Sequence, residues 1–257
     1  MPIKQQLIAL YTLVRREIMR MLRISSQVFL PPVITTTLYF LIFGSLIGPR
    51  IGTIDAVPYI AFIAPGLIMM SVITNAYGNV SSSLFSMRFQ KSIDELLVSP
   101  MNNGLLLLGY ITGGIVRGFI VAILVYLVAL FFVPLQFNHI PMTLLVIILV
   151  SAVFSLAGFT NAMLAKTFDD IMLIPTFVLT PLTYLGGVFY TVDMLPPFWQ
   201  HVSSLNPILY MVNLFRYAMI GHTNVNITFA LSFIMTVFVA LCALNLIMLN
   251  KGIGLRE

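Results

Sequence analysis

Apolar residues dominate six stretches of the chain, roughly 27–48, 59–80, 105–133, 142–165, 171–190 and 227–249. Each is near the roughly 20 residues a helix needs to cross a bilayer core. Together they predict an all-α, polytopic membrane protein, a single transmembrane domain over residues 1–257. The segment before them, 3–23 (IKQQLIALYTLVRREIMRMLR), alternates differently. Ile3, Leu7, Leu10, Tyr11, Val14, Ile18, Met21 and Leu22 share one helical face, while Lys4, Arg15, Arg16, Arg20 and Arg23 fall mostly around the other side. Such a segment lacks the apolar core of a cleavable signal. It predicts a helix lying in the membrane interface with its arginines near lipid phosphates. The plainer reading is a basic flank that orients the first span.

Two breaks in the apolar pattern stand out. In the 81–104 connection, Arg88, Lys91, Asp94 and Glu95 gather in "RFQKSIDELLVSP". Ser92-Ile-Asp-Glu95 has the spacing of a capping box, in which the serine caps a helix start and the glutamate reaches back. Asp94 and Glu95 suit the positive end of a helix dipole, Leu96 and Leu97 make the helix apolar, and Pro100 stops it. A short amphipathic helix is expected, either docking on a partner or resting on the bilayer surface. The other break is 191–220, too polar to span and too apolar for a free loop. Pro196-Pro197 and Asn206-Pro207 split it into two short helices, with Trp199, Tyr210 and Tyr217 of the kind that settle at interfaces.

Composition removes whole classes of function. The chain is 60% hydrophobic and 8% charged, against roughly 25% charged in ordinary domains, so a soluble globule is excluded. The net charge of +5 reads as membrane orientation and not as nucleic-acid binding. With the N-terminus inside, ten Lys and Arg residues fall on the cytoplasmic side and only Arg50 and Arg216 outside, which puts both termini in the cytoplasm. One cysteine, Cys242, excludes an internal disulfide. His139, His201 and His222 lack metal-ligand spacing, so no metal site is expected. No catalytic cluster of Asp, His or Ser groups appears either, which argues against a membrane-embedded lipid enzyme.

Polar chemistry within the spans bears on mechanism. All eight carboxylates are expected in loops, flanks or tails, including Glu17. Ion-coupled carriers usually hold ionisable groups inside their spans, so an ion-coupled secondary transporter is the weaker alternative. Arg117 is the one charge within an apolar run and admits two readings. It lines a polar cavity and meets an anionic group on a substrate or lipid, or it snorkels to the interface. It stands among Gly109/Gly113 and Gly114/Gly118, pairs whose spacing permits close helix approach. Pro31, Pro32, Pro65, Pro175 and Pro181 predict kinks, and Thr176, Thr180 and Thr183 carry hydroxyls that satisfy freed carbonyls or line a path. In Lys166-Thr-Phe-Asp-Asp170, Thr167, Asp169 or Asp170 is expected to cap the fifth span.

The order of parts resembles the membrane subunit of a type 2 ABC exporter, in particular bacterial inner-membrane permeases of that family. The more specific likeness lies in Pro181-Leu-Thr-Tyr-Leu-Gly-Gly-Val-Phe-Tyr190, Leu195-Pro-Pro-Phe-Trp199, Asn206-Pro-Ile-Leu-Tyr210 and Leu214-Phe-Arg216. The resemblance implies that Ser92, Asp94, Glu95, Leu96 and Leu97 form a coupling helix on an ATPase subunit. It allows a second ATPase contact at Lys166, Asp169 and Asp170, and a pathway or lipid contact at Arg117, Thr180 and Tyr184. It further implies an outer re-entrant hairpin, with Gly186, Gly187, Trp199, Asn206, Pro207 and Arg216 as an outer gate; a pair of interfacial helices without a gating role is the alternative. The ATPase is expected on a separate chain. None of the four lysines follows a glycine, so the Gly-Lys pair of a phosphate-binding loop is missing. Two ATPase copies carrying ATP and Mg, and a second copy of this chain, are what the family implies. Its substrates are drugs, lipids, glycans and other amphipathic molecules.

Overall fold

Inside a bilayer every backbone N–H and C=O must find a partner within the protein, and helices do this locally. The computed structural model describes residues 3–92, 101–135 and 137–254 and is helical over most of that length. The helices are α1 (Ile3–Arg23), α2 (Ser25–Ile51), α3 (Tyr59–Phe89), α4 (Asn103–Leu130), α5 (Ile140–Leu164), α6 (168–184), α7 (Pro197–Ser204), α8 (Pro207–Ile220) and α9 (Ile227–Lys251). Among the described residues, α2, α3, α4, α5 and α9 are long and apolar enough to cross a membrane.

Two boundaries differ from the sequence expectation. The second span continues as helix to Phe89, so the connection to α4 begins at Gln90 and not at residue 81. Nothing between Ser81 and Phe89 breaks a helix, and Ser83 and Phe85 are buried against neighbours. The expected fifth span, 171–190, falls on α6, which stops at Tyr184 short of residue 190 and is not among the helices long and apolar enough to cross. Gly186 and Gly187 follow, and Gly187 takes a left-handed φ of 71° that turns the chain back. α6 is built in three parts, with the π-helical turn Pro175–Leu179 between α-helical ends. Pro175 and Pro181 lack an N–H, and Thr180 donates its hydroxyl to the Pro175 carbonyl at 2.8 Å. A β-hairpin, Thr53–Ile54 with Val57–Pro58, was not legible beforehand. Its turn residues Asp55 and Ala56 adopt positive φ without a glycine to announce it.

α3 is the hub, packed against α4, α5 and α8 with little of its length exposed. Small residues set these approaches. Gly109 and Gly113 face Leu13 and Glu17 of α1, whereas Gly114 and Gly118 face Ser155 and Ser151 of α5. The two glycine pairs of α4 therefore admit two different helices on two faces. At Gly158 of α5 an added Cβ would lie 2.5 Å from the Tyr77 backbone oxygen of α3. Backbone cannot yield as a side chain does, so Gly158→Ala is expected to cost about 1–3 kcal/mol. Gly78→Ala, which would meet nothing within 4 Å, is expected to be tolerated. Thermal unfolding of the two variants in detergent checks this; equal midpoints would mean that α3 and α5 separate freely.

The end of the bundle that carries α1 is its basic end. There Arg88 donates to the carbonyls of Ala162, Met163 (2.9 Å) and Ala165 (3.0 Å), holding the last carbonyls of α5 with a positive charge. Phe168 at the start of α6 packs on Phe85 and Phe89 with ring centres 4.9 and 4.8 Å apart. Asn103 donates to Asn250 at 2.8 Å, tying the start of α4 to the end of α9.

Candidate functional site

α3 carries polar residues at every fourth position through an apolar helix: Ser71, Asn75, Asn79 and Ser83. Four-residue spacing places them one above another on a single face. Each meets a polar partner from another helix. Ser71 shares a hydrogen bond with Thr36 of α2 at 3.4 Å. Asn75 Oδ1 accepts from Arg117 Nε and Nη2 of α4 at 3.2 and 3.0 Å. Asn79 accepts from Arg20 Nη2 at its Oδ1 (2.9 Å) and its backbone oxygen (3.1 Å). Ser83 donates to Glu17 Oε1 at 2.8 Å.

Glu17 adds to the sequence reading. It lies on α1, ahead of the first span as expected, but is 1% exposed, pressed into the α3–α4 groove. Its carboxylate takes Arg16 at 3.1 Å and Arg20 at 3.3 Å, and Arg16 also donates to the Tyr110 hydroxyl at 3.2 Å. Arg16 and Arg20 thus turn inward instead of joining the outward basic face. The reason is a single buried carboxylate, which is stable only with paired charge. Arg20 Nε and Asn79 Nδ2 are buried donors with no acceptor among the described residues.

Two cavities open along this stripe. At the basic end, a crevice of about 620 Å³ lies between α1 and α3, lined by Arg16, Glu17, Arg20, Arg23, Ser83 and Ser92 among others. Farther along α3, a cavity of about 280 Å³ is lined by Gln27, Thr35, Thr36, Ser71, Asn75 and Arg117 with apolar neighbours. Arg117 lies fourteen residues beyond Asn103 (117 − 103), about 21 Å along the helix axis. Among the described residues no carboxylate pairs with it. Tyr39 borders the same cavity and shares a 2.8 Å hydrogen bond with the Tyr184 hydroxyl. Phe43 and Phe189 pack beside that tyrosine pair.

The other singled-out residues fall into distinct places. Asp94, Glu95, Leu96 and Leu97 lie outside the described residues. Ser92 donates to the Met87 carbonyl at 3.2 Å and borders the basic crevice. Thr167 and Asp170 form a capping box at the start of α6: the Asp170 N–H donates to Thr167 Oγ1 at 3.2 Å, and the Lys166 and Thr167 amides donate to Asp170 Oδ2 at 2.9 Å. Those two amides hold the Asp170 carboxyl below its ordinary pKa. Lys166 and Asp169 are exposed beside it.

Gly186, Gly187, Asn206, Pro207 and Arg216 come together at the end opposite α1. Asn206 caps α8 by accepting from Ile208 N at 3.0 Å and donates to the Leu182 carbonyl at 2.6 Å, with Pro207 at the first helical position. Gly186 leaves room for Ile208. Arg216 donates to Gly187 O (2.7 Å), Phe62 O (3.3 Å) and Asn213 Oδ1 (3.1 Å), with its guanidinium 3.9 Å from the Phe62 ring centre. α8 itself is buried against α3, α5 and α9. Trp199 stands apart, half exposed on α7 against Phe198. Thr180 is spent on the α6 carbonyl and does not reach the Arg117 cavity's lining.

Sequence reasoning missed the α3 stripe. Its signal was present, four small polar residues at i, i+4 spacing inside an apolar run, but only contact with α1, α2 and α4 gives it meaning.

Comparison with known proteins matches residues 8–220 to the ABC-2 type transporter family. The chain is 51% identical over 250 residues to the inner membrane transport permease YadH of Escherichia coli K12, covering 97% of this chain and 98% of that protein. It is 25% identical over 191 residues to nodulation protein J of Rhizobium leguminosarum bv. viciae, covering 74% of each. The nodulation protein J of Sinorhizobium fredii is 25% identical over 223 residues, 86% of this chain and 82% of that protein.

Proposed function

The chain belongs to the ABC-2 type transporter family, and on that footing we propose that it is the permease subunit of an ATP-driven exporter. As a multi-pass inner-membrane permease it forms the pathway, here read as one for an amphipathic lipid-, glycan- or drug-like molecule. Two copies of a separate ATPase bind ATP and Mg and drive two copies of this chain. The basic end faces the cytoplasm, as the distribution of Lys and Arg requires. α8 and the 185–191 turn close the outer end.

One observation carries the reading. Arg88 and the Phe85–Phe89–Phe168 cluster join the end of α3, which leads into the proposed coupling segment, to the turn before α6, where the second ATPase contact is proposed. Phe89 and Phe168 are 63% and 54% exposed there, with Lys91, Lys166 and Asp169 around them. Apolar side chains ringed by charges are what a docking site for a soluble partner looks like. A rigid α3 running from this surface into the bundle is suited to carry movement inward. An ion-coupled carrier is not favoured, because Glu17, the buried carboxylate of the groove, is already engaged by two arginines.

Affinity capture of the full chain from native inner membranes tests this. The expected result is co-purification of an ATP-binding-cassette ATPase whose hydrolysis depends on the permease. Recovery of folded permease without any such ATPase overturns the proposal. Transport driven by a proton or sodium gradient in its absence would put the carrier reading in its place.

A further inference from the structure

We infer that the groove along α3 selects an amphiphile with an anionic, phosphate-type headgroup, seated at Arg117 and admitted past Arg20. The inference rests on the transport reading only for the statement that the bound amphiphile is cargo.

Charge balance is the first argument. Arg20 and Arg117 meet the α3 stripe and Arg16 lies beside it, and among the described residues the carboxylate that pairs with any of them is Glu17. Glu17 already serves Arg16 and Arg20. Arg117, midway along its helix, has among the described residues the amide oxygen of Asn75 as its acceptor. Guanidinium stays charged at any accessible pH, and a cation at such depth is costly without a counter-charge. An anionic headgroup supplies that counter-charge. A cationic headgroup would be repelled, and a neutral one would leave Arg117 uncompensated.

Donor balance points the same way. Arg20 Nε and Asn79 Nδ2 are buried donors without acceptors. They stand one helical turn from the Arg117–Asn75 pair, since Asn79 and Asn75 are four residues apart. A phosphate presents several acceptor oxygens, and arginine forks match them well. The step from the basic crevice at Arg20 to the cavity at Arg117 thus passes from one set of donors to the next.

Shape supplies the amphiphile. Gln27, Pro31 and Thr35 line the groove from α2 at four-residue spacing. Leu30, Ile34 and Leu38, on an adjoining strip of the same helix, are about half exposed. A polar wall beside an apolar rim accommodates a headgroup within and hydrocarbon tails outside. Gln27, Thr35 and Thr74 are also exposed, and polar groups at such positions fit a lined path better than contact with acyl chains.

Binding to the purified full chain in phosphatidylcholine nanodiscs tests the inference, using tail-labelled phosphatidylglycerol and tail-labelled phosphatidylcholine as probes. The expected result is a preference of about tenfold or more for the phosphatidylglycerol probe. Arg117→Gln should erase it, Arg117→Lys should retain most of it, and Arg15→Gln, an exposed α1 arginine outside the groove, should leave it unchanged. If Arg117→Gln does not fold, Thr35→Glu supplies a carboxylate from across the same cavity and should expel the probe. Equal loss from Arg15→Gln and Arg117→Gln would reduce the effect to surface charge and overturn the inference. Displacement of the probe by millimolar inorganic phosphate at constant ionic strength would make this a free-anion site and overturn it too. No ATPase enters the measurement, so its failure and that of the ATPase capture are separate results.

Discussion

A permease carrying Leu96→Asp and Leu97→Asp is expected to insert, fold and leave the membrane without its ATPase. The two leucines follow Ser92-Ile-Asp-Glu95 and precede Pro100, so they supply the apolar part of the proposed coupling segment. In sequence they follow shortly after Phe89, which stands exposed together with Phe168. Placing two aspartates where apolar groups must dock forces charge out of water without a partner, which costs several kcal/mol. Affinity of the permease for its ATPase should therefore fall by at least a hundredfold, about 2.7 kcal/mol, and ATP-driven transport should vanish. Loss of the Ser92 hydroxyl is a milder change of about 1 kcal/mol and should be tolerated. Capture of the complex through the tagged permease measures both. Full ATPase recovery with the double variant would mean that the segment rests on the bilayer and couples nothing.

Arg216→Met is expected to be the most damaging single change for stability. The guanidinium is fully buried and holds three acceptors from three places: Phe62 in α3, Gly187 in the turn after α6, and Asn213 in α8. Methionine fills much of the volume but leaves those acceptors without their donor. Charge-assisted hydrogen bonds contribute about 1.5–3 kcal/mol each. Removing the arginine also removes its own desolvation cost, so the net loss should be roughly 2–4 kcal/mol. Arg216→Lys should fall between, because one ammonium lacks the planar fork. Thermal unfolding in detergent reads the effect as a lowered midpoint. An unchanged midpoint with reduced transport would show that Arg216 acts as a gate contact and not as the fastener of α8.

Local signals in the chain read well where the physics is local. Asn206-Pro207 announced the start of α8, and Thr167 with Asp170 announced the cap of α6, since both depend on neighbours a few residues away. The glycine pairs in α4 announced close helix contacts but not their partners, which turned out to be α1 for one pair and α5 for the other. The burial of Glu17 was not legible, for the opposite reason. Amid four arginines it was expected in a flank, with nothing nearby in sequence to show that the approach of α3 and α4 buries it.

The pattern of apolar and polar residues alone determined that this is an all-helical membrane protein and where nearly every helix lies, because a bilayer punishes any unsatisfied backbone and leaves few alternatives. It also carried the family likeness, through short motifs whose turns and caps are built from adjacent residues. The tertiary structure decided everything that depends on which faces meet. It turned four polar residues of α3 into one seam, buried Glu17 against Ser83 of α3, left Arg117 with an amide for a partner, and joined the end of α3 to the start of α6. Those outcomes rest on contacts between residues dozens of positions apart, and helical periodicity states which face a residue occupies but not what will be packed against it.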